Sequence, residues 1–259
     1  MTAAAANDAA PRDDLVTLVA IGLLAYATAD IAHHVLGHGG ACRALGGRIV
    51  SLSSVFVNCT VRGSAIDLAG PFANLAVGLA ALALAHHLSA ASTARLFFAL
   101  AAAFNLFWFA LLLLFSAATR TDDFAWPMAA FHVSEPVRYG LIAVGGLLYL
   151  LSVRAVAVPM AGYARPRARV WRIVVAAWLT AGVLACATAL FDRHPAAAIL
   201  HHAAPQSFIV SIGLLFLPQR AAQISTAVSP VIGLSVPWVA AALIAAAVSI
   251  VFLGPGFSL

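Results

Sequence analysis

A chain of 259 residues that is 63% hydrophobic and 9% charged, with a mean hydropathy of +1.00, carries more apolar surface than a soluble core of its size can bury. All 14 basic residues are arginines, spread over the segments between apolar runs, and the acidic residues are aspartates apart from Glu135. A net charge of +5 distributed in that way is membrane-flanking charge, and with no basic patch it speaks against nucleic acid as a partner.

In chain order, Met1–Asp14 shows no cleavable-signal pattern, because Arg12 is accompanied by Asp8, Asp13 and Asp14 and no small-residue cleavage site follows. Leu15–His38 is then expected to be a first membrane-spanning helix that stays with the chain. Further runs of about the ~20 residues that a bilayer demands are Ile66–Ala85, Leu96–Ala118, Tyr139–Val158 and Ile173–Phe191. Ala196–Leu217 is a sixth, expected to kink where Pro205 removes a backbone donor. The uncharged tail from Ala221 to Leu259 holds a seventh, interrupted by Pro230 and Pro237. The expected fold is all-α: a polytopic bundle of six or seven transmembrane helices, one domain over residues 1–259, with the lipid bilayer as its main partner. One connection departs from this pattern. Gly46-Gly47, followed by β-branched residues as far as Cys59, predicts a short hairpin after the first helix, packed against protein rather than lipid.

The first apolar run closes on Asp30-Ile-Ala-His33-His34-Val35-Leu36-Gly37-His38. Ionisable groups there need a metal, each other or water to offset their desolvation. On an α-helix Asp30, His34 and His38 lie in one stripe, and two imidazoles four apart can reach one metal ion. His33 with His38 is a second register, whose spacing of five fits one α-helical face less well. A hydrogen-bonded polar cluster without metal is the plainer alternative. Downstream lie Ala69-Gly70-Pro71-Phe72-Ala73-Asn74-Leu75, then Asn105-Leu106-Phe107-Trp108, Phe115-Ser116 and Asp122-Asp123-Phe124-Ala125-Trp126.

That order of motifs resembles the site-2 protease family of intramembrane zinc metalloproteases. Its members carry a His-Glu-x-x-His helix, a Gly-Gly turn with a β-hairpin, an Ala-Gly-Pro-x-x-Asn segment, and a later Asn-Leu helix leading to an Asp ligand. The likeness runs roughly from Ala29 to Arg172, with 15–130 as the family-like core and 136–259 adding further helices. It implies a bacterial inner (cytoplasmic) membrane protein that holds zinc through His34, His38 and Asp123 and engages a transmembrane substrate or client. Asp30, His33, Asp122 and Asn74 are the further site candidates. The departure is Val35, which stands where the family has its general-base Glu; without that proton acceptor, peptide cleavage by the family's route is expected to be lost. A degenerate or pseudoprotease form follows, expected to bind a divalent metal weakly or not at all, and Val35→Glu, which rebuilds the His-Glu-x-x-His sequence, is the most sensitive test of that ancestry.

Other classes fit less well. A non-proteolytic transporter or membrane metal-binding protein could use the Asp30/His34/His38 cluster, although no internal repeat supports a transporter. Di-iron desaturases need more complete histidine boxes than this chain has. His86-His87 and His201-His202 read as interfacial anchors, and His132 and His194 as solvated residues. Cys42 and Cys59 can pair, stay free or ligate. The arginines at 154, 165, 167, 169 and 172 mark a cytoplasmic turn, which puts the segment after His38 outside, whereas Arg43, Arg48, Arg62 and the family's zinc position point the other way.

Overall fold

The computed structural model describes residues 12–90, 92–224 and 230–258. The N-terminal segment read above for a cleavable signal lies outside the described residues as far as residue 11. Among the described residues seven helices are long and apolar enough to cross a membrane: α1 (Leu15–Ala44), α2 (Ser64–His87), α3 (Thr93–Thr119), α4 (Glu135–Tyr163), α5 (Arg167–Ala189), α6 (Pro195–Ile224) and α7 (Val236–Leu253). The hairpin predicted after α1 is present, with β1 (Ile49–Leu52) antiparallel to β2 (Val57–Cys59).

Local chemistry sets most boundaries. Asp14 caps α1 by accepting a hydrogen bond from Thr17 N at 2.8 Å, and Ser92 does the same for α3 from Ala94 N at 3.2 Å. Pro136 and Pro237 fall in the first turns of α4 and α7, where no backbone donor is needed. Two limits differ from the sequence expectation. α1 runs past His38 to Ala44, and α2 begins at Ser64, so that Gly70-Pro71 lies inside the helix. The kink expected in α6 takes the form of wide π turns over Ile199–Ala203 and Pro205–Ile209, followed by a tight 3₁₀ stretch over Val210–Phe216.

α3 is the most deeply buried helix and the hub of the bundle, flanked by α4, α2 and α1. Its Phe104, Phe107 and Trp108 are almost wholly enclosed. α4 and α7 show the opposite pattern. Leu147, Leu150 and Leu151 on α4, and Leu243, Ile244, Val251 and Phe252 on α7, turn outward, an apolar exposure that water tolerates poorly and lipid favours.

Following the chain through seven helices places two sets of connections at opposite ends. The hairpin, the 120–134 connection and the C-terminus share one end, where Leu52 and Phe257 exchange backbone hydrogen bonds of 2.8 and 3.1 Å. At the other end Asp13 accepts two bonds from Arg169, of 2.7 and 2.8 Å, and one from Ile232 N at 2.8 Å. Arg169 also reaches Pro230 O, so this pair ties the start of α1 to α5 and to the strand of chain before α7.

The Asp13–Arg169 pair is almost fully buried, and removing one partner strands a charge. Asp13→Ala is expected to cost about 3–5 kcal/mol, seen as an earlier thermal unfolding midpoint in detergent. The double variant Asp13→Leu/Arg169→Met should recover most of the loss; equal losses in single and double variants would show that the pair contributes packing and not charge.

Candidate metal centre

The site forms where α1 changes its winding. From Ile31 to Gly39 the helix takes i→i+5 hydrogen bonds, which widen the turn. Residues five apart then approach one face, so His33 meets His38. α2 lies unusually close to this turn, because a Cβ on Gly37 would stand 2.5 Å from Gly70 Cα and 2.7 Å from Ala69 O. Gly70 in turn leaves the room that the His38 ring fills, which gives the Gly-Pro step its role.

Asp123 is brought in by a sharp reversal after α3. Arg120 and Asp122 adopt left-handed backbone at φ 61° and 74°, a region that Asp tolerates better than most residues. Phe124 then wedges between Phe72 of α2 and Phe109 of α3, with ring centroids 6.4 and 5.8 Å away, and anchors the turn. Asp123 Oδ2 comes to rest 3.0 Å from His33 Nε2 and 3.3 Å from His38 Nε2, while the two nitrogens are 3.1 Å apart.

The partners on the far side of each ring decide what those atoms can do. His38 Nδ1 lies 2.7 Å from Ile66 O, a pure acceptor, so that nitrogen carries the proton. His33 Nδ1 lies 2.6 Å from Asn74 Oδ1. The orientation of that amide is fixed because Asn74 Nδ2 donates to Ala29 O at 3.0 Å and to Asn105 Oδ1 at 2.9 Å, and Asn105 Nδ2 donates to Ala101 O at 2.8 Å. His33 Nδ1 is therefore the donor as well. Both Nε2 atoms of the neutral rings present lone pairs, and both aim at a carboxylate oxygen that is buried without a hydrogen-bond donor. With both rings neutral, three electron pairs within 3.3 Å of one another repel, and either a proton on one Nε2 or a metal ion shared by all three relieves the repulsion. Tetrahedral ligands with bonds of about 2.0–2.1 Å stand roughly 3.3 Å apart, so the triangle matches one face of such a site. His33, His38 and Asp123 form a group that could hold a metal ion.

The Asp123 carboxylate favours positive charge at its oxygen, which a proton on one of the two imidazoles supplies when no metal ion does. Burial alone would raise the Asp123 carboxyl, but the imidazoles at its oxygen outweigh burial and hold it well below the usual carboxylate range. Its neighbour Asp122 is pushed up to about 6, first by burial and then by the Asp123 charge, although Asp123 N donates to Asp122 Oδ1 at 3.1 Å. Asp122 thus shapes the turn and stands beside the group without joining it.

His34 does not join the triangle. The expected pairing was His34 with His38 on an α-helical stripe; the wide turn instead swings His34 to Asp30, with Nδ1 3.1 Å from Asp30 Oδ1 and 3.3 Å from Asp30 O. Val35 points another way again, into the small cluster of Cys42, Ile49, Leu52 and Leu253 under the hairpin. A glutamate there would sit among apolar side chains and not beside the ligands, so Val35→Glu does not rebuild the family motif in space. Two residues of the site were legible only as parts of a motif. Asn105 closes the amide relay, and Trp108 stacks on His33 with centroids 4.9 Å apart, while Tyr26 stacks on the same indole at 6.3 Å. Their i, i+3 spacing on α3 was the available signal.

No protein-family model matches this chain, and neither a curated protein nor a solved structure is similar to it.

The amide relay gives a test of the site. Asn74→Leu leaves His33 Nδ1 without its acceptor and frees the ring to change tautomer, so divalent-metal affinity should fall about 10–100-fold, the usual effect of losing such an orienting partner. Competition with a chromophoric chelator measures it; unchanged affinity would mean that the ring is held by packing against Trp108 alone.

Proposed function

We propose that this chain is an integral membrane metalloprotein whose centre is a degenerate form of the site-2 protease design, with zinc as the resident ion. The observation that carries the reading is the convergence of three lone pairs from His33, His38 and Asp123 at the end of a hydrophobic helix. The order of the motifs around them supports the family resemblance. Three protein ligands leave a fourth position open, which is the pattern of reactive rather than structural zinc sites. An ion held there would supply Lewis-acid charge and acidify a water at the open position.

The chain's own residues divide the remaining work. Asn74 and Asn105 hold His33 in one tautomer, Ile66 O holds His38, and Trp108 keeps water from the back of the site. The position after the first ligand, where the family has its Glu, belongs to His34. Its Nδ1 is turned to Asp30, which leaves Nε2 as the lone-pair nitrogen, a His–carboxylate pairing of the kind that can accept a proton. Glu135, the single glutamate, cannot substitute, because it is exposed and held by Arg120 and Arg138 at 2.7 and 2.6 Å. The family's route through Glu is thus absent, and cleavage of a transmembrane peptide by that route is not expected.

A transporter is the competing reading, and the irregular winding of α6 is the one observation in its favour. That stretch packs mainly against α5 and α3, and contributes no ligand to the group.

Metal analysis of the purified protein tests the proposal. About one divalent ion per chain is expected in the wild type, little in His33→Ala, His38→Ala or Asp123→Ala, and full occupancy in His34→Ala. Loss in His34→Ala with retention in His33→Ala would sink the ligand assignment. Cleavage of a transmembrane peptide by the wild type, abolished in His34→Ala with metal retained, would overturn the inactive reading and place proton transfer on that imidazole.

A further inference from the structure

The end of the bundle that holds the metal group also holds a disulfide. Cys42, in the last turn of α1, is bonded to Cys59 of β2, and the bond lies at the base of the hairpin that packs on Val35. Gly47 fits against it, since a Cβ there would stand 2.6 Å from Cys59 Sγ and 2.9 Å from Cys42 Sγ. Structural disulfides persist in oxidising compartments and are rare in the cytosol. The third cysteine, Cys186, is free and lies within α5.

A second observation, independent of the first, concerns the opposite end. Arg165, Arg167, Arg169 and Arg172 crowd the short turn between α4 and α5, with Arg12, Arg95 and Arg220 at the same end. Short loops dense in arginine stay in the cytoplasm. The hairpin end carries Arg43, Arg48, Arg62, Arg120, Arg138 and Arg193, but spread over three connections rather than crowded at one turn, and Arg120 and Arg138 are both spent on Glu135. The route from that end to the group is short: the Asp123 side chain keeps 19% of its surface exposed beside the 120–124 turn, whereas His33 keeps only 3%.

We infer that the metal centre opens to the non-cytoplasmic, oxidising side of the membrane, with the chain's N-terminal end in the cytoplasm, and that its ion and its substrate or client segment arrive from outside. This concerns the same site as the reading given above and reverses the side on which the resembled family holds its zinc, and the orientation itself does not depend on whether metal is bound. It also sets the substrate class apart, because a protein segment or solute confined to the cytoplasm cannot reach Asp123 without crossing the bundle.

Cysteine labelling with a membrane-impermeant maleimide in intact and permeabilised cells tests the inference, using Phe131→Cys at the hairpin end and Arg167→Cys at the other, each in a Cys186→Ala background. Phe131 is 70% exposed, which makes it a mild site for substitution. Phe131→Cys should label in intact cells, and Arg167→Cys only after permeabilisation. The wild-type chain, denatured without reductant, should offer one reactive thiol, and three after reduction. Reversed labelling of the two variants, or three reactive thiols before reduction, would overturn the inference. Metal content is measured separately on the same preparations, so a failure of orientation and a failure of the metal reading remain distinct.

Discussion

Two imidazoles and a carboxylate buried at the end of an apolar helix pose a problem that everything around them is arranged to meet. Left as three lone pairs, His33, His38 and Asp123 repel one another in a medium that screens poorly. The proton that would relieve the repulsion is drawn to the far side of each ring by Ile66 O and Asn74 Oδ1. Each of those acceptors is fixed in turn, one by helix backbone and the other by an amide relay anchored on two carbonyls of α1 and α3. The second layer therefore does more than position the rings. It chooses which nitrogen of each ring faces the carboxylate.

The hydrophobic frame makes this arrangement affordable. α3 is enclosed on most sides, and its Trp108 and Asn105 face the group from a helix that has little freedom to shift. The Gly37–Gly70 contact brings α1 and α2 together closely enough that His38 can reach the backbone of α2. At the far end the buried Asp13–Arg169 pair joins α1 to α5 and to the chain before α7. The helix that carries His33 and His38 is thereby held at both ends, by a charge pair at one and by the disulfide-bonded hairpin at the other.

Much of this was legible in the sequence. The apolar runs mark the seven helices, and Gly46-Gly47 with the β-branched run marks the hairpin, because both signals are local. Asp123 was matched to His38 across a long separation by motif order alone. The choice between His33 and His34 was not legible, since spacing was judged against 3.6 residues per turn and nothing in Ile31–Gly39 announces a wider one. The glycines there permit the close approach of α2, but glycine marks many helix contacts. The disulfide stood as one of three fates for Cys42 and Cys59, and only the fold of the hairpin chooses among them. Trp108 and Asn105 were visible as letters of a motif; their contacts, reached across three helices, were not.

The wide turn in α1 holds one more residue than an α-helical path between the same points would. Deleting Val35 or Leu36 would return the helix to ordinary winding between those points and leave both flanks in place. His38 would keep its place opposite Gly70, Gly37 its contact with α2 and Cys42 its bond to Cys59, with the two histidines now four apart in sequence. The surplus peptide unit thus sets the sequence spacing of the two histidines, five in place of four, while the helix contact and the disulfide stay as they are. A single-codon insertion or deletion at this place would convert one working register into another, which makes the length of this segment, and not only its histidines, a heritable part of the site.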